Sequence, residues 1–155
     1  MLISGNEKGG GVRLFVQEIA GVTARPITPE GTGYLLPPSP DGRLVPSADS
    51  EGHVSLYPID GGEPRPLPGV ERGDEILLWS SDGRSILVRR RLSLPVRIER
   101  VDVATGKVTL WREIAPADRT GMTAVPSVRV SADESTLTYT VHRLLSELYV
   151  ADGLR

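Results

Sequence analysis

The sequence predicts an all-β fold built from about four copies of one antiparallel unit. A turn with the pattern Ser-x-Asp-Gly-Arg recurs at residues 39–43, at residues 80–84 and, in a degraded form, at residues 131–135. The second turn starts 41 residues after the first, and the third starts 51 residues after the second. A period of about 40 to 45 residues among short strands is typical of β-propeller blades. The 17 Gly and 13 Pro residues are spread through the 155-residue chain, which favours many short strands separated by turns.

A strand rich in β-branched, aliphatic and aromatic residues is the second repeated landmark. Its equivalent positions are spaced by 42, 42 and 50 residues, and they are Leu14, Leu56, Ile98 and Leu148. Because two independent landmarks share one period, we predict a partial β-propeller of about three and a half four-stranded antiparallel blades.

The chain is predicted to form a single domain over residues 1–155. Its units are blade one (1–30), blade two (33–68), blade three (74–113) and blade four (124–155). The innermost strands of blades two, three and four are expected at residues 34–36, 75–79 and 124–130. Blades two and three are expected to be complete, whereas blade one lacks an innermost strand. Blade four is expected to end with a strand at residues 147–152 and to lack an outermost strand.

The residue types of the recurring turn follow from its geometry. An Asp side chain can accept hydrogen bonds from nearby backbone amides, and Gly tolerates the positive φ that closes a hairpin. The third copy has Glu134 where the others have Gly42 and Gly83. That hairpin is therefore expected to use a different turn or to accept strain of about 1 kcal/mol or more.

The number of blades predicts an incomplete ring. Closed propellers usually have about four to eight blades, so one copy of this chain is not expected to close one. The partner is then expected to be a protein, a second copy that completes the ring as a homodimer, or the missing part of a longer chain.

Composition excludes several other classes of function. The formal net charge of −2 argues against a nucleic-acid partner. The chain has no Cys, and its two histidines, His53 and His142, lack the spacing of a metal site or of a nucleophile motif. We therefore predict no catalytic residue, no metal and no cofactor. No apolar run reaches the 18 or more residues of a membrane span, so direct membrane insertion is not expected.

Two regions supply candidate contact residues. The first is an arginine run in blade three, where a two-residue period places Arg89 and Arg91 on one face and Arg90 on the other. It predicts a solvated or salt-bridged rim, with Glu71 and Glu75 as partners, or else an anion site. The second region is the long connector at residues 112–123, which contains Asp118 and Arg119, because functional residues often lie on such loops. We predict Asp118, Arg119, Arg89 and Arg91 as ligand or partner contacts.

The turn, the apolar strand after it, and the Leu-Tyr-x-x-Asp and Gly-Gly at residues 56–62 resemble the TolB-type, WD-repeat-like propeller family. The tail at residues 139–155 is also similar to the end of propellers attached to bacterial receptor-type serine/threonine kinases. The resemblance implies a non-catalytic module for protein interaction or ligand sensing. The alternative is a C-terminal sensor propeller of a larger enzyme, such as a kinase or a propeller-gated peptidase. The chain has no His-Arg-Asp or Asp-Phe-Gly motif, so a kinase label would describe only the parent protein.

The compartment depends on the same choice. A complete chain of this sequence would be cytoplasmic, because no basic segment followed by an apolar run opens it. The C-terminal part of a receptor-type protein would instead be extracytoplasmic.

Overall fold

The computed structural model describes residues 1–91, 94–149 and 153, and within these ranges it contains twelve strands. The strands are β1 (Leu2–Gly5), β2 (Arg13–Val16), β3 (Arg25–Pro26), β4 (Leu44–Ala48), β5 (Val54–Pro58), β6 (Arg65–Pro66), β7 (Glu75–Trp79), β8 (Ser85–Arg89), β9 (Val96–Asp102), β10 (Val108–Ile114), β11 (Met122–Val130) and β12 (Leu137–Arg143). Among the described residues, no helix is long and apolar enough to cross a membrane.

The strands form four antiparallel sheets that follow one another along the chain. Sheet orders are β1-β2-β3, β4-β5-β6, β7-β8-β9-β10 and β11-β12. In each sheet consecutive strands pair antiparallel, as expected of propeller blades. The all-β prediction and the blade-like repeat are therefore confirmed, and the four sheets are called blades one to four below.

Blade three has four strands, as predicted, but blade two does not. Residues 34–36, the expected innermost strand, make no strand ladder, so the prediction that blade two is complete was wrong. The reason lies in its prolines. Pro37 and Pro38 follow this segment and Pro46 lies in β4, and a proline has no N–H to donate to a ladder. The segment is held instead by single contacts, such as Ser47 Oγ donating to the Tyr34 carbonyl oxygen at 3.0 Å.

Blade four contains two strands in the described part of the chain. Residues 147–149, which open the predicted third strand, are irregular, and residues 150–152 of that prediction lie outside the described residues. The consequence appears at the repeated landmark position. Leu14, Leu56 and Ile98 are fully buried, whereas Leu148 is 92% exposed.

The three recurring turns have the same hydrogen bonds. In each, the Asp carboxylate accepts a backbone amide two residues later, at 3.0 Å for Asp41 and Asp82 and at 3.1 Å for Asp133. The first Ser of each turn donates its hydroxyl to the same carboxylate. These hydrogen bonds, led by that from Ser131, lower the pKa of Asp133 to about 2. The turn is thus a self-contained unit, which explains why it recurs.

The third copy keeps this turn despite its missing glycine. Glu134 adopts φ 57°, close to the 69° of Gly42 and Gly83, so the hairpin accepts strain rather than changing its type. Its carboxylate pairs with Arg100 of β9, whose guanidinium also reaches Ser85 Oγ at 3.1 Å. Glu134 therefore links the first hairpin of blade four to blade three, which a glycine could not do.

We expect Glu134→Ala to be about 1 kcal/mol less stable than Glu134→Gly. Both variants lose the ion pair with Arg100, but only the glycine variant also loses the strain of a side chain at positive φ. Urea unfolding of the two proteins measures the difference. Equal midpoints would mean that the left-handed conformation at residue 134 carries no measurable strain.

The core lies between blades rather than inside any one of them. One cluster joins blades two and three and includes Leu56, Leu67, Trp79, Ile86 and Val101. A second cluster joins blades three and four and includes Leu87, Ile98, Ile114, Val125 and Val128. Stability therefore depends on each blade having a neighbour to cover its face.

Candidate functional site

A cavity of about 460 Å³ lies where blades two, three and four meet. Its volume falls in the range of small-molecule sites. Apolar side chains and three carboxylates line it: Tyr34, Leu36, Ala48, Gly52, Val54, Glu71, Gly73, Asp74, Glu75, Ile76 and Pro126. The carboxylates come from the short segment that leads into β7, the innermost strand of blade three.

Two of these carboxylates are already bound by arginines. Asp74 pairs with Arg90 and also accepts the backbone amides of Glu71 at 2.9 Å and Arg91 at 3.2 Å. Glu75 pairs with Arg89 at 3.2 Å and with Arg129 of β11 at 3.3 Å. The cavity therefore has an apolar interior, and arginines neutralise two of its three carboxylates, which suits a largely apolar ligand.

Arg89 fastens blade three to blade four. Its guanidinium donates to the carbonyl oxygens of Val125 and Pro126 in β11 and pairs with Glu75. The predicted contact residue Arg89 thus contacts two residues that line the cavity, Glu75 of its own blade and the backbone of Pro126 in the neighbouring blade. Of the two predicted partners of the arginine run, Glu75 pairs with Arg89, while the structure gives Glu71 no arginine partner among the described residues.

Arg90 points to the other side of the sheet, and its side chain is as enclosed as that of Arg89. It pairs with Asp74 and Glu99 and donates to the Gly69 carbonyl oxygen at 3.1 Å. Burial alone would lower the pKa of Arg90, but the hydrogen bonds to Glu99 and Asp74 outweigh burial and raise it. Sequence reasoning missed this network because Asp74 is 16 residues from Arg90 along the chain.

Arg91 is exposed, and its side chain lies over Gly73, which lines the cavity. A Cβ atom at Gly73 would clash with Arg91 Cδ, so glycine allows this position of the side chain. Gly73 also has φ 86°, which favours glycine independently. Among the described residues no carboxylate pairs with the Arg91 guanidinium. Arg91 is therefore the predicted contact residue whose charge is most available to a ligand.

The connector residues lie apart from this cavity. Asp118 Oδ2 accepts a hydrogen bond from Arg143 of β12 at 2.7 Å, and Thr120 donates its amide to Asp118 Oδ1 at 2.9 Å. The Thr120 hydrogen bonds first, and then Arg143, lower the pKa of Asp118 to about 2. Arg119 is exposed. No contact between described residues brings Asp118 or Arg119 together with Arg89 or Arg91, so the four predicted contact residues form two separate groups.

No group of three or more His, Cys, Asp and Glu residues in the described part of the chain could hold a metal ion. The cavity lining contains neither a His nor a Ser or Thr among its described members. His53 lies elsewhere, on the surface, 3.3 Å from Asp49 and 3.5 Å from Glu51. The arrangement can enclose an apolar group and present an arginine at its edge.

Comparison with known proteins shows the fold. The crystal structure of TolB from Acinetobacter baumannii matches with a TM-score of 0.56 and 14% sequence identity. The match covers 91% of this chain and 40% of that one, so this chain spans about two fifths of the length of the TolB chain. No protein-family model matches the sequence, and no curated protein matches it. The fold is therefore of the TolB-like propeller type, and the comparisons give no support to a kinase or peptidase parent.

Proposed function

We propose that this chain is a non-catalytic propeller module that binds a protein or senses a ligand, and that a second copy or further blades of a longer chain complete its ring. The observation that carries the proposal is a stretch of apolar surface beside the two-stranded blade four. Within residues 144–149 four large side chains are at least 70% exposed, and they are Leu144, Leu145, Leu148 and Tyr149. Exposed apolar surface of this density marks interaction sites.

The TolB-like fold is consistent with this role, although a fold alone does not determine function. The greater length of the TolB chain agrees with a ring that needs more blades than this chain supplies. The cavity at the junction of blades two, three and four is the proposed ligand-sensing site, with Arg91 at its rim. Asp118 and Arg119 remain proposed partner contacts.

Sedimentation of purified protein at micromolar concentration tests the interaction role. We expect a species of at least twice the chain mass of 16.7 kDa, because association hides the apolar surface of blade four. The same preparation should not turn over ATP or generic ester and peptide substrates. A folded protein that is strictly monomeric and binds no hydrophobic dye would contradict the interaction role. Turnover that survives repurification would contradict the non-catalytic one.

A further inference from the structure

The outer edge of β12 lies beside an open groove. In the described part of the chain β12 pairs with β11 on one side and with no strand on the other. A groove of about 430 Å³ lies next to it, between Trp111 and Ile114 of β10 and Leu137 and Tyr139 of β12. An unpaired edge presents backbone N–H and C=O groups that can pair with a further strand.

The interface between blades two and three shows what this groove lacks. Blade three contributes residues from three strands to that interface, including Trp79 of β7, Ile86 of β8 and Val101 of β9. At the next interface blade four contributes residues from only two strands, such as Val128 of β11 and Leu137 of β12. The groove is therefore the place of a third strand that would pack on Trp111 and Ile114.

The repeat identifies which residues have the character of that strand. The turns that begin at Ser39 and Ser131 are 92 residues apart, so Leu148 and Tyr149 correspond to Leu56 and Tyr57 of β5. The Leu-Tyr pair itself recurs. Tyr57 is 8% exposed and Leu56 is fully buried, whereas Tyr149 is 82% exposed. Leu148 and Tyr149 thus have side chains typical of a buried strand, but both are exposed to solvent.

The chain cannot return along its own β12 in this conformation. By the same offset, the β4 to β5 hairpin at residues 49–53 corresponds to residues 141–145. Instead of forming a loop, Arg143 pairs with Met122, and its guanidinium donates to the carbonyl oxygens of Asp118 at 2.8 Å and Thr120 at 3.1 Å. The Leu144 amide donates to the Gly121 carbonyl oxygen at 2.8 Å. The residues that should reverse the chain are held against the connector.

We propose that the free edge of β12 and its groove receive residues 147–149 from a second copy of this chain, and that the exchange is reciprocal. This rests on the proposed interaction role and specifies its surface and its partner. A segment that cannot pair with β12 of its own chain can pair with β12 of another copy at low free-energy cost, which is domain swapping. Backbone hydrogen bonds between the added strand and β12 would supply affinity, and the groove that receives its side chains would supply specificity. The register of β4 and β5 then predicts that Thr138 of one copy faces Leu148 of the other, as Pro46 faces Leu56.

Disulfide trapping tests the exchange, because the chain has no native Cys. Thr138→Cys and Leu148→Cys are made in separate full-length chains with tags of different mass, mixed, and oxidised with oxidised glutathione. Both positions are exposed in the single chain, so neither substitution disturbs its core. The control mixes Thr138→Cys with Leu145→Cys, which is 74% exposed but lies outside the proposed strand.

We expect at least about tenfold more mixed disulfide from the Thr138 and Leu148 pair than from the control, because pairing holds the two thiols together. A further protein carries Thr138→Cys and Leu148→Cys in the same chain. If its disulfide forms only within that chain, residues 147–149 pair with their own β12 and the exchange is overturned. If the Thr138 and Leu148 pair gave no more mixed disulfide than the control, residues 147–149 would not bind beside β12 at all. If the unmodified protein still sediments as a dimer in either case, the proposed interaction role stands without the exchange.

Discussion

Replacing Arg90 with Met is expected to destabilise the protein by about 3 to 5 kcal/mol. The Asp74 side chain is 3% exposed and that of Glu99 is 11% exposed, and Arg90 binds both. Its removal leaves Asp74 buried without a cation and leaves Glu99 with the half-exposed Arg97. Breaking one side of a buried ion pair is costly because the remaining charge stays out of water. Urea unfolding at neutral pH, followed by circular dichroism, measures the loss.

The neighbouring arginine supplies the matched control. Arg91→Met removes the same charge one residue later, but from an exposed side chain, and should change stability by about 0.5 kcal/mol or less. A triple variant of Arg90→Met, Asp74→Asn and Glu99→Gln should recover much of the loss, because no buried charge is then uncompensated. A loss below about 1 kcal/mol for Arg90→Met alone would show that the two carboxylates do not depend on this cation.

The parts of the fold that the sequence predicts are those decided by neighbouring residues. The turn at residues 80–84 is closed by hydrogen bonds between Ser80, Asp82 and Arg84. Because all of its partners lie within five residues, the sequence pattern is sufficient to predict this turn. Repetition of that turn then gives the blade period. Pro37, Pro38 and Pro46 also indicate the incomplete sheet of blade two, since a proline has no N–H for a ladder, whereas the repeat period predicts a strand at residues 34–36.

The candidate site was less predictable because its contacts join distant parts of the chain. Arg89 reaches Val125, 36 residues away, and Arg129 reaches Glu75, 54 residues away. Such pairs depend on the register of one strand and on the angle between two blades, and a two-residue period gives neither. The period did separate Arg90 from Arg89 by face. It could not show that the Arg90 face is enclosed by Asp74, Glu99 and the Gly69 carbonyl.

Trp79→Ala is expected to cost about 3 to 5 kcal/mol, because it opens a large cavity between blades two and three. Trp79 is 5% exposed and packs with Leu56 and Leu67 of blade two. Its indole Nε1 donates to the Pro37 carbonyl oxygen at 2.9 Å. It therefore fastens the segment of blade two that forms no ladder. The loss is measured by urea unfolding followed by circular dichroism.

Trp79→Phe separates the two contributions of this side chain. It keeps most of the buried ring but removes the hydrogen bond to Pro37, so we expect a loss of about 1 to 2 kcal/mol. Trp111, the other tryptophan, borders the groove beside β12 and is only partly buried, so Trp111→Ala should cost less than Trp79→Ala. If Trp79→Ala and Trp111→Ala were equally destabilising, the packing between blades two and three would not dominate stability, since the buried tryptophan would contribute no more than the one at the open groove.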